Sequence, residues 1–252
     1  MDVVIVCGPN DSAVLSECIS RIHKYVKNLR RVIVVSRERY YMGDDAEYFE
    51  ESRYPFTIKD INGYCYPGRE GWIYQQLLKM HCLQVIPDIT DKILVVDCDV
   101  MFSKEISFIQ EDGKAIITTA TEYNIPYFEH AARLLPGIRR VDPEISGVCH
   151  HNVFDKVIMD DLFSRVEKHH GKVFWKAFIE QINPSHFSGA GEPEIYYNFA
   201  LDNFPDRIVT RKLFYIHDIY DPTEYSRKDE AYYICLHHYR RPENWRDYLP
   251  NK

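Results

Sequence analysis

A chain of 252 residues with 45% hydrophobic and 14% aromatic content can bury the core of one large α/β domain, and no low-complexity tract or composition break divides it. Its formal charge of -7, with basic residues scattered apart from short clusters such as Arg30-Arg31 and Arg139-Arg140, lacks the cationic face that a nucleic-acid backbone requires, so no nucleic-acid partner is expected. Seven cysteines, odd in number and without a C-x-x-C pair, point to reduced thiols. With no signal-like leader and no apolar run near the roughly 18 residues of a membrane span, the expected setting is cytoplasmic, without an intrinsic membrane span.

The first element is the β-branched run Val3 to Cys7, closed by Gly8-Pro9-Asn10-Asp11. It is followed by helical spacing from Ser12 to Val26, with Val14, Leu15, Cys18, Ile19 and Ile22 on one side. Val32 to Ser36 repeats the buried-strand pattern. Phe56 to Ile61 is expected as a weaker strand after a polar, Tyr-rich connection. Trp72 to Val85 has helical spacing, Pro87-Asp88 ends it, and Lys92 to Asp97 is the next strand. Nearly all-apolar strands alternating with helices indicate a mixed, mostly parallel sheet flanked by helices, a Rossmann-like α/β class with residues 1–100 as its nucleotide-binding half. Beyond Asp99 the pattern predicts a strand at Ala115 to Ala120 and helices near Phe128 to Leu135, Asn152 to Lys168 and Phe174 to Gln181. Strands are expected at Leu213 to His217 and Tyr232 to His237. The span 101–252 is read as the acceptor-side half of the same single domain.

Ligands of parallel α/β sheets bind outside the carboxyl ends of the strands, and Asp97 and Asp99 in KILVVDCDVMF occupy such an end. At period 2 the two carboxylates share a face and Cys98 turns to the other. Two acids so close repel unless a cation separates them, and oxygen donors with open positions suit Mg²⁺ or Mn²⁺. A haloacid-dehalogenase phosphatase would place this motif on its first strand with a Thr two residues beyond the second Asp, where Met101 stands. A pyrophosphorylase would need a Gly- and Arg-rich loop after the first strand, which CGPNDSAVL does not supply.

The β-turn-α opening, the D-x-D ending a central strand and the mixed second half resemble a glycosyltransferase of the GT-A fold. More narrowly, GREGWIYQQLLKM (68–80), VVDCDVMF, SGVCHHNVFDK (146–156) and GEPEIYYNFAL (191–201) are similar to four segments of a DUF-type glycosyltransferase family. That family includes bacterial polysaccharide enzymes and the transferases that build capsid glycans of large algal viruses. The resemblance implies a manganese- or magnesium-dependent transfer of a hexosyl or deoxyhexosyl group from a nucleotide-sugar donor, UDP-sugar ahead of GDP-sugar, to a glycan or glycoconjugate acceptor. It also implies that Gly8 and Asp11, with Cys98 beside the acids, contribute to nucleotide binding.

Other candidates have a physical reason of their own. Gln76 and Lys79 lie at i, i+3 on one helix face, where an amide and an ammonium can meet a diphosphate together; Arg69, just before that helix, is a further cation. Trp72 reads as core. Asp11 serves equally as a helix N-cap. Glu192 and Glu194 follow a Gly-rich loop and lead into a helix; one of them, Glu194 first, is expected to take the acceptor hydroxyl proton, unless both merely complement the helix dipole. Of the pair His237-His238 only one can face the metal, His237 first; His151 lies in a segment that the resemblance implies is an acceptor- or sugar-binding loop, with a structural role equally open, and His169-His170 read as surface groups. The alternative functions are a metal-dependent phosphohydrolase or nucleotidyltransferase using the same acids, and a non-catalytic nucleotide-sugar binding module.

Overall fold

In the computed structural model, which describes residues 1–250, the elements run β1 (Asp2–Val6), α1 (Ser12–Tyr25), β2 (Arg31–Ser36), β3 (Glu47–Glu50), α2 (Glu70–Val85), β4 (Lys92–Asp97), β5 (Val100–Phe102), β6 (Ala115–Thr119) and α3 (Ile125–Leu134). They continue with β7 (His151–Asp155), α4 (Lys156–His170), α5 (Phe174–Glu180), α6 (Glu192–Asn203), β8 (Ile208–Lys212), α7 (Pro222–Tyr225) and β9 (Tyr233–Cys235). The central sheet has the order β3-β2-β1-β4-β7; the first four strands are parallel, and β7 runs antiparallel beside β4. All five residues of β1 are buried, as a parallel strand covered on both faces requires. Two small pairs, antiparallel β5–β9 and parallel β6–β8, complete the fold.

The chain leaves β1 for β2 on one side and later fills the other side with β4. The switch point therefore lies between β1 and β4, where Val6 is level with Asp97. The segments leaving those strand ends are Gly8–Asp11 and Asp97–Asp99. One apolar cluster runs from Val3 through Phe102, Phe154 and Phe199 to Trp245 and Leu249, so both halves share a core. The last two residues of the expected 1–252 domain lie outside the described residues. Among the described residues no helix is long and apolar enough to cross a membrane, and all seven cysteines are free.

Three expected elements differ. Phe56 to Ile61 is not a strand: Thr57 and Asp60 form a capping box, with the Thr57 amide donating to Asp60 at 2.7 Å, and 58–61 closes as a 3₁₀ turn. The strand at that edge of the sheet is β3, inside the polar connection. The helix expected from Asn152 starts later, because residues 151–155 pair with β4 and Asp155 caps α4 by accepting from the Val157 amide at 3.0 Å. The strand expected at Leu213 to His217 lies instead at Ile208–Lys212, and only Ile216 bridges to Ile234 near its predicted end.

Candidate active site

β4 ends at Asp97, and Asp99 lies in the turn before β5, so the acids converge through the turn rather than as neighbours on one strand face. Backbone bonds tie this turn to two distant segments: the Asp97 amide donates to the His150 carbonyl at 2.9 Å, and the Leu236 amide donates to the Asp99 carbonyl at 2.9 Å. Each carboxylate thus meets an imidazole. Asp97 Oδ2 lies 3.7 Å from His150 Nδ1, and His237 Nδ1 donates to Asp99 Oδ2 at 3.0 Å. Burial pulls the His237 pKa down, but the hydrogen bond and charge of Asp99 more than offset it and leave it raised.

The other Asp97 oxygen is 2.5 Å from Lys79 Nζ, which also reaches Glu192 Oε1 at 3.2 Å. Burial opposes charge on Lys79, yet the two acids hold its pKa above the ordinary lysine value; Asp97 correspondingly stays well below the usual carboxylate range despite its own burial. Glu192 is raised by burial against the pull of Lys79. Gln76, one turn earlier on α2, accepts from the Glu192 amide at 3.1 Å and donates to the Ala190 carbonyl at 3.4 Å, so it fixes the start of α6.

The structure separates several expected residues from this group. Glu194 is 1% exposed; one oxygen accepts from Ser146 Oγ, the other from Asn198 Nδ2 at 2.8 Å, and burial raises its pKa. Both oxygens are engaged within the protein, whereas Glu192 touches the Lys79–Asp97 pair. The Arg69 guanidinium is sandwiched between Trp72 and Phe187, 4.2 and 4.4 Å from their ring centroids, and donates to the Phe187 carbonyl at 3.1 Å. Cys98 is buried, with its Sγ 3.3 Å from Cys7 Sγ and 3.4 Å from the Asp11 carbonyl oxygen. His238 is exposed and its ring meets Tyr239 edge-on, whereas the His237 ring stacks parallel to Tyr239 at 5.4 Å.

Asp11 makes no side-chain cap bond to α1; it accepts from Arg241 at 3.1 Å, and Arg241 also donates to the Asn10 and Leu236 carbonyls at 2.5 and 3.2 Å. Burial and the nearby Asp99 charge raise the Asp11 pKa against the pull of Arg241. Gly8 is exposed, with nothing within 4 Å of where a Cβ would stand, so the loop surface there is open.

Sequence reasoning missed His150 and His217. Their rings join His237, with centroids 5.1 Å (150–237), 5.0 Å (217–237) and 5.9 Å (150–217) apart. The adjacent His151 is a core residue, 2% exposed, bonded to Thr118 Oγ1 at 3.0 Å and held by burial at a pKa of about 3.

A divalent cation is the group that a D-x-D turn would hold, and the residues fit one. Asp99 holds Nδ1 of His237 at 3.0 Å, and His237 Nε2 is buried without a hydrogen-bond partner, an orphan that a ligand bond would satisfy. A hollow of about 320 Å³, lined by Glu17, Arg21, Lys24 and Arg246, contains none of these groups.

No curated protein matches the chain in sequence. Among solved structures, an active-site mutant of LgtC aligns over 98% of this chain and 94% of its own, at 12% identity and a TM-score of 0.50. The galactosyltransferase LgtC in complex with donor and acceptor sugar analogs aligns over 99% and 100% at 13% identity and a TM-score of 0.49. The likeness to the LgtC mutant establishes the fold, the mixed α/β GT-A glycosyltransferase fold with its mostly parallel central sheet. One family matches from residue 3 to residue 247, nearly the whole length, and the chain belongs to it: the family of unknown function DUF6492.

Proposed function

We propose that the protein is a metal-dependent glycosyltransferase that moves a sugar from a nucleoside-diphosphate sugar, UDP-linked ahead of GDP-linked, to a hydroxyl of a glycan or other acceptor. The observation that carries this reading is the Asp97–Asp99 turn at the switch point of a GT-A fold, with His237 returned to Asp99 by the last third of the chain. A divalent ion held by Asp97, Asp99 and His237 would supply positive charge against the leaving diphosphate.

The chain's own groups then divide the remaining work. The Gly8–Asp11 loop, open at Gly8 and held at Asp11 by Arg241, faces the nucleoside end of the donor. Lys79 neutralises Asp97 and Glu192 and keeps both carboxylates in place. Glu192, its proton affinity raised by burial, is the carboxylate assigned to the acceptor hydroxyl proton, since Glu194 is committed to Ser146 and Asn198.

The test is a thermal-unfolding screen of UDP-, GDP- and TDP-sugars with and without Mn²⁺, followed by product analysis with added glycan. A donor at a hundred times its dissociation constant stabilises by about 2.7 kcal/mol. Metal-dependent stabilisation by one nucleotide class, lost in Asp97→Asn and Asp99→Asn, is the expected result. Metal-independent binding unchanged in both variants overturns it, as does formation of nucleoside monophosphate and sugar phosphate without acceptor, the signature of a phosphohydrolase.

A further inference from the structure

Three segments far apart in sequence each deliver a histidine to the Asp97–Asp99 turn. His150 precedes β7 and is tied by its carbonyl to the Asp97 amide at 2.9 Å. His237 follows β9, one residue after the Leu236 amide that bonds to the Asp99 carbonyl at 2.9 Å. His217 follows Ile216, whose amide donates to the Tyr233 carbonyl at 3.1 Å and whose carbonyl accepts from the Cys235 amide at 3.0 Å. The three imidazoles are therefore positioned by the backbone. One nitrogen from each lies within 4.8 Å of the others.

The nitrogens divide in a way that suits a metal. Asp99 fixes Nδ1–H of His237 at 3.0 Å, so the other ring nitrogen, Nε2, is the acceptor, and it is buried with no partner. A carboxylate on one imidazole nitrogen and a free lone pair on the other is the carboxylate–histidine–metal arrangement. Asp97 Oδ2 stands opposite His150 Nδ1 at 3.7 Å in the same sense.

From these positions we infer that His150, His217 and His237 jointly bind one borderline transition-metal ion of the Zn²⁺/Co²⁺ class through imidazole nitrogens, with Asp97 and Asp99 as orienting or completing carboxylates. Metal–nitrogen bonds of about 2.0–2.1 Å put tetrahedral ligand atoms roughly 3.4 Å apart, so the rings need to close by on the order of 1 Å, within side-chain rotation. Three imidazoles favour Zn²⁺ or Co²⁺ over Mg²⁺, which prefers oxygen donors and retained water. The inference deepens the proposed function and rests on it only for what the ion would do; binding itself needs no turnover.

The experiment titrates the full chain with Co²⁺ alone and follows its visible d–d absorption, in the wild type and in His150→Ala, His217→Ala and Asp99→Asn. Expected are one equivalent of bound Co²⁺, displacement by Zn²⁺ but not by excess Mg²⁺, and a loss of roughly tenfold or more in affinity in each histidine variant. His217 is an exposed loop residue, so its variant decides the matter if His150→Ala fails to fold. Unchanged Co²⁺ affinity and spectrum in His217→Ala overturns the inference and leaves the glycosyltransferase reading standing. Intact binding by the three histidines with no donor stabilisation under any metal sinks that reading instead and leaves the metal site.

Discussion

Lys79 is the residue on which the charge balance of the site turns, because it stands between Asp97 at 2.5 Å and Glu192 at 3.2 Å with little water to share the load. Lys79→Met leaves the buried Glu192 and the partly buried Asp97 without their shared ammonium, a change that costs about 3 kcal/mol, the low end for a broken buried pair. The sign of its pH dependence follows from linkage. Without the ammonium both acids titrate above their unfolded values, so the variant loses stability as pH rises from the unfolded carboxylate range through the raised folded values, and its deficit shrinks in mild acid. Urea unfolding at pH 7 and pH 5 checks this; a deficit under about 1 kcal/mol, or one equal at both pH values, contradicts it. Lys79, Asp97 and Asp99 were legible in sequence because each interrupts an apolar pattern where a strand exits or a helix shows its inner face. His150 was not, although it could have been. The alternation argument applied to His237-His238 applies equally to His150-His151, where one ring enters the core and the other faces Asp97. His217 left no local signal, since an exposed loop histidine gains meaning only from what lies opposite. Glu192 and Glu194 were expected as a pair with Glu194 first, and only the fold shows Ser146 and Asn198 bonded to Glu194, an approach that no spacing reveals.

Elements whose stability is written in their own residues were the readable ones. β1, β2 and β4 are β-branched runs buried on both faces, and α1 and α2 fall within two residues of their expected spans. β3 was missed because, at the sheet edge, it buries only Phe49. β7 was read as helix because HNVFD runs straight into the periodic face of α4, and only pairing with β4 decides the boundary. The start of α6 depends on a close approach of this kind. A Cβ at Gly147 would lie 2.7 Å from the Pro193 carbonyl oxygen and would press on the Tyr197 side chain, so the loop carrying Ser146 packs against α6 only with glycine there. Gly147→Ala forces the backbone apart, at about 1–3 kcal/mol, and draws Ser146 off Glu194. The expected result is a lower denaturant midpoint with unchanged slope; a midpoint within experimental error of wild type would show that the loop yields freely.

Over the whole molecule, the first and last thirds of the chain meet at the switch point, and Arg241 is the clasp between them. Its side chain is 9% exposed and donates to Asp11 and to the Asn10 carbonyl from one end of the sequence and to the Leu236 carbonyl from the other. Hydrogen bonds from a charged donor contribute about 1.5–3 kcal/mol each, which is large beside the free energy that usually keeps a short terminal segment closed. β9 has only three residues, pairs with the three of β5 and adds a single bridge to Ile216, so its own ladder is a weak restraint. Arg241→Ala is therefore expected to open the segment from Ile216 to Leu236 locally while the five-stranded sheet stays shut. Amide hydrogen exchange resolves the two. The Leu236 and Cys235 amides, bonded to the Asp99 and Ile216 carbonyls, should exchange roughly tenfold faster or more, with Val4 and Val95 unchanged. Equal acceleration everywhere would mean that Arg241 supports the global fold rather than this segment, and no acceleration at Leu236 would mean that the apolar anchors Trp245 and Leu249 hold the end of the chain without it. Only the first outcome makes His237 and His217 an independently opening side of the site, free to close on a ligand while Lys79 and Asp97 stay fixed on the sheet.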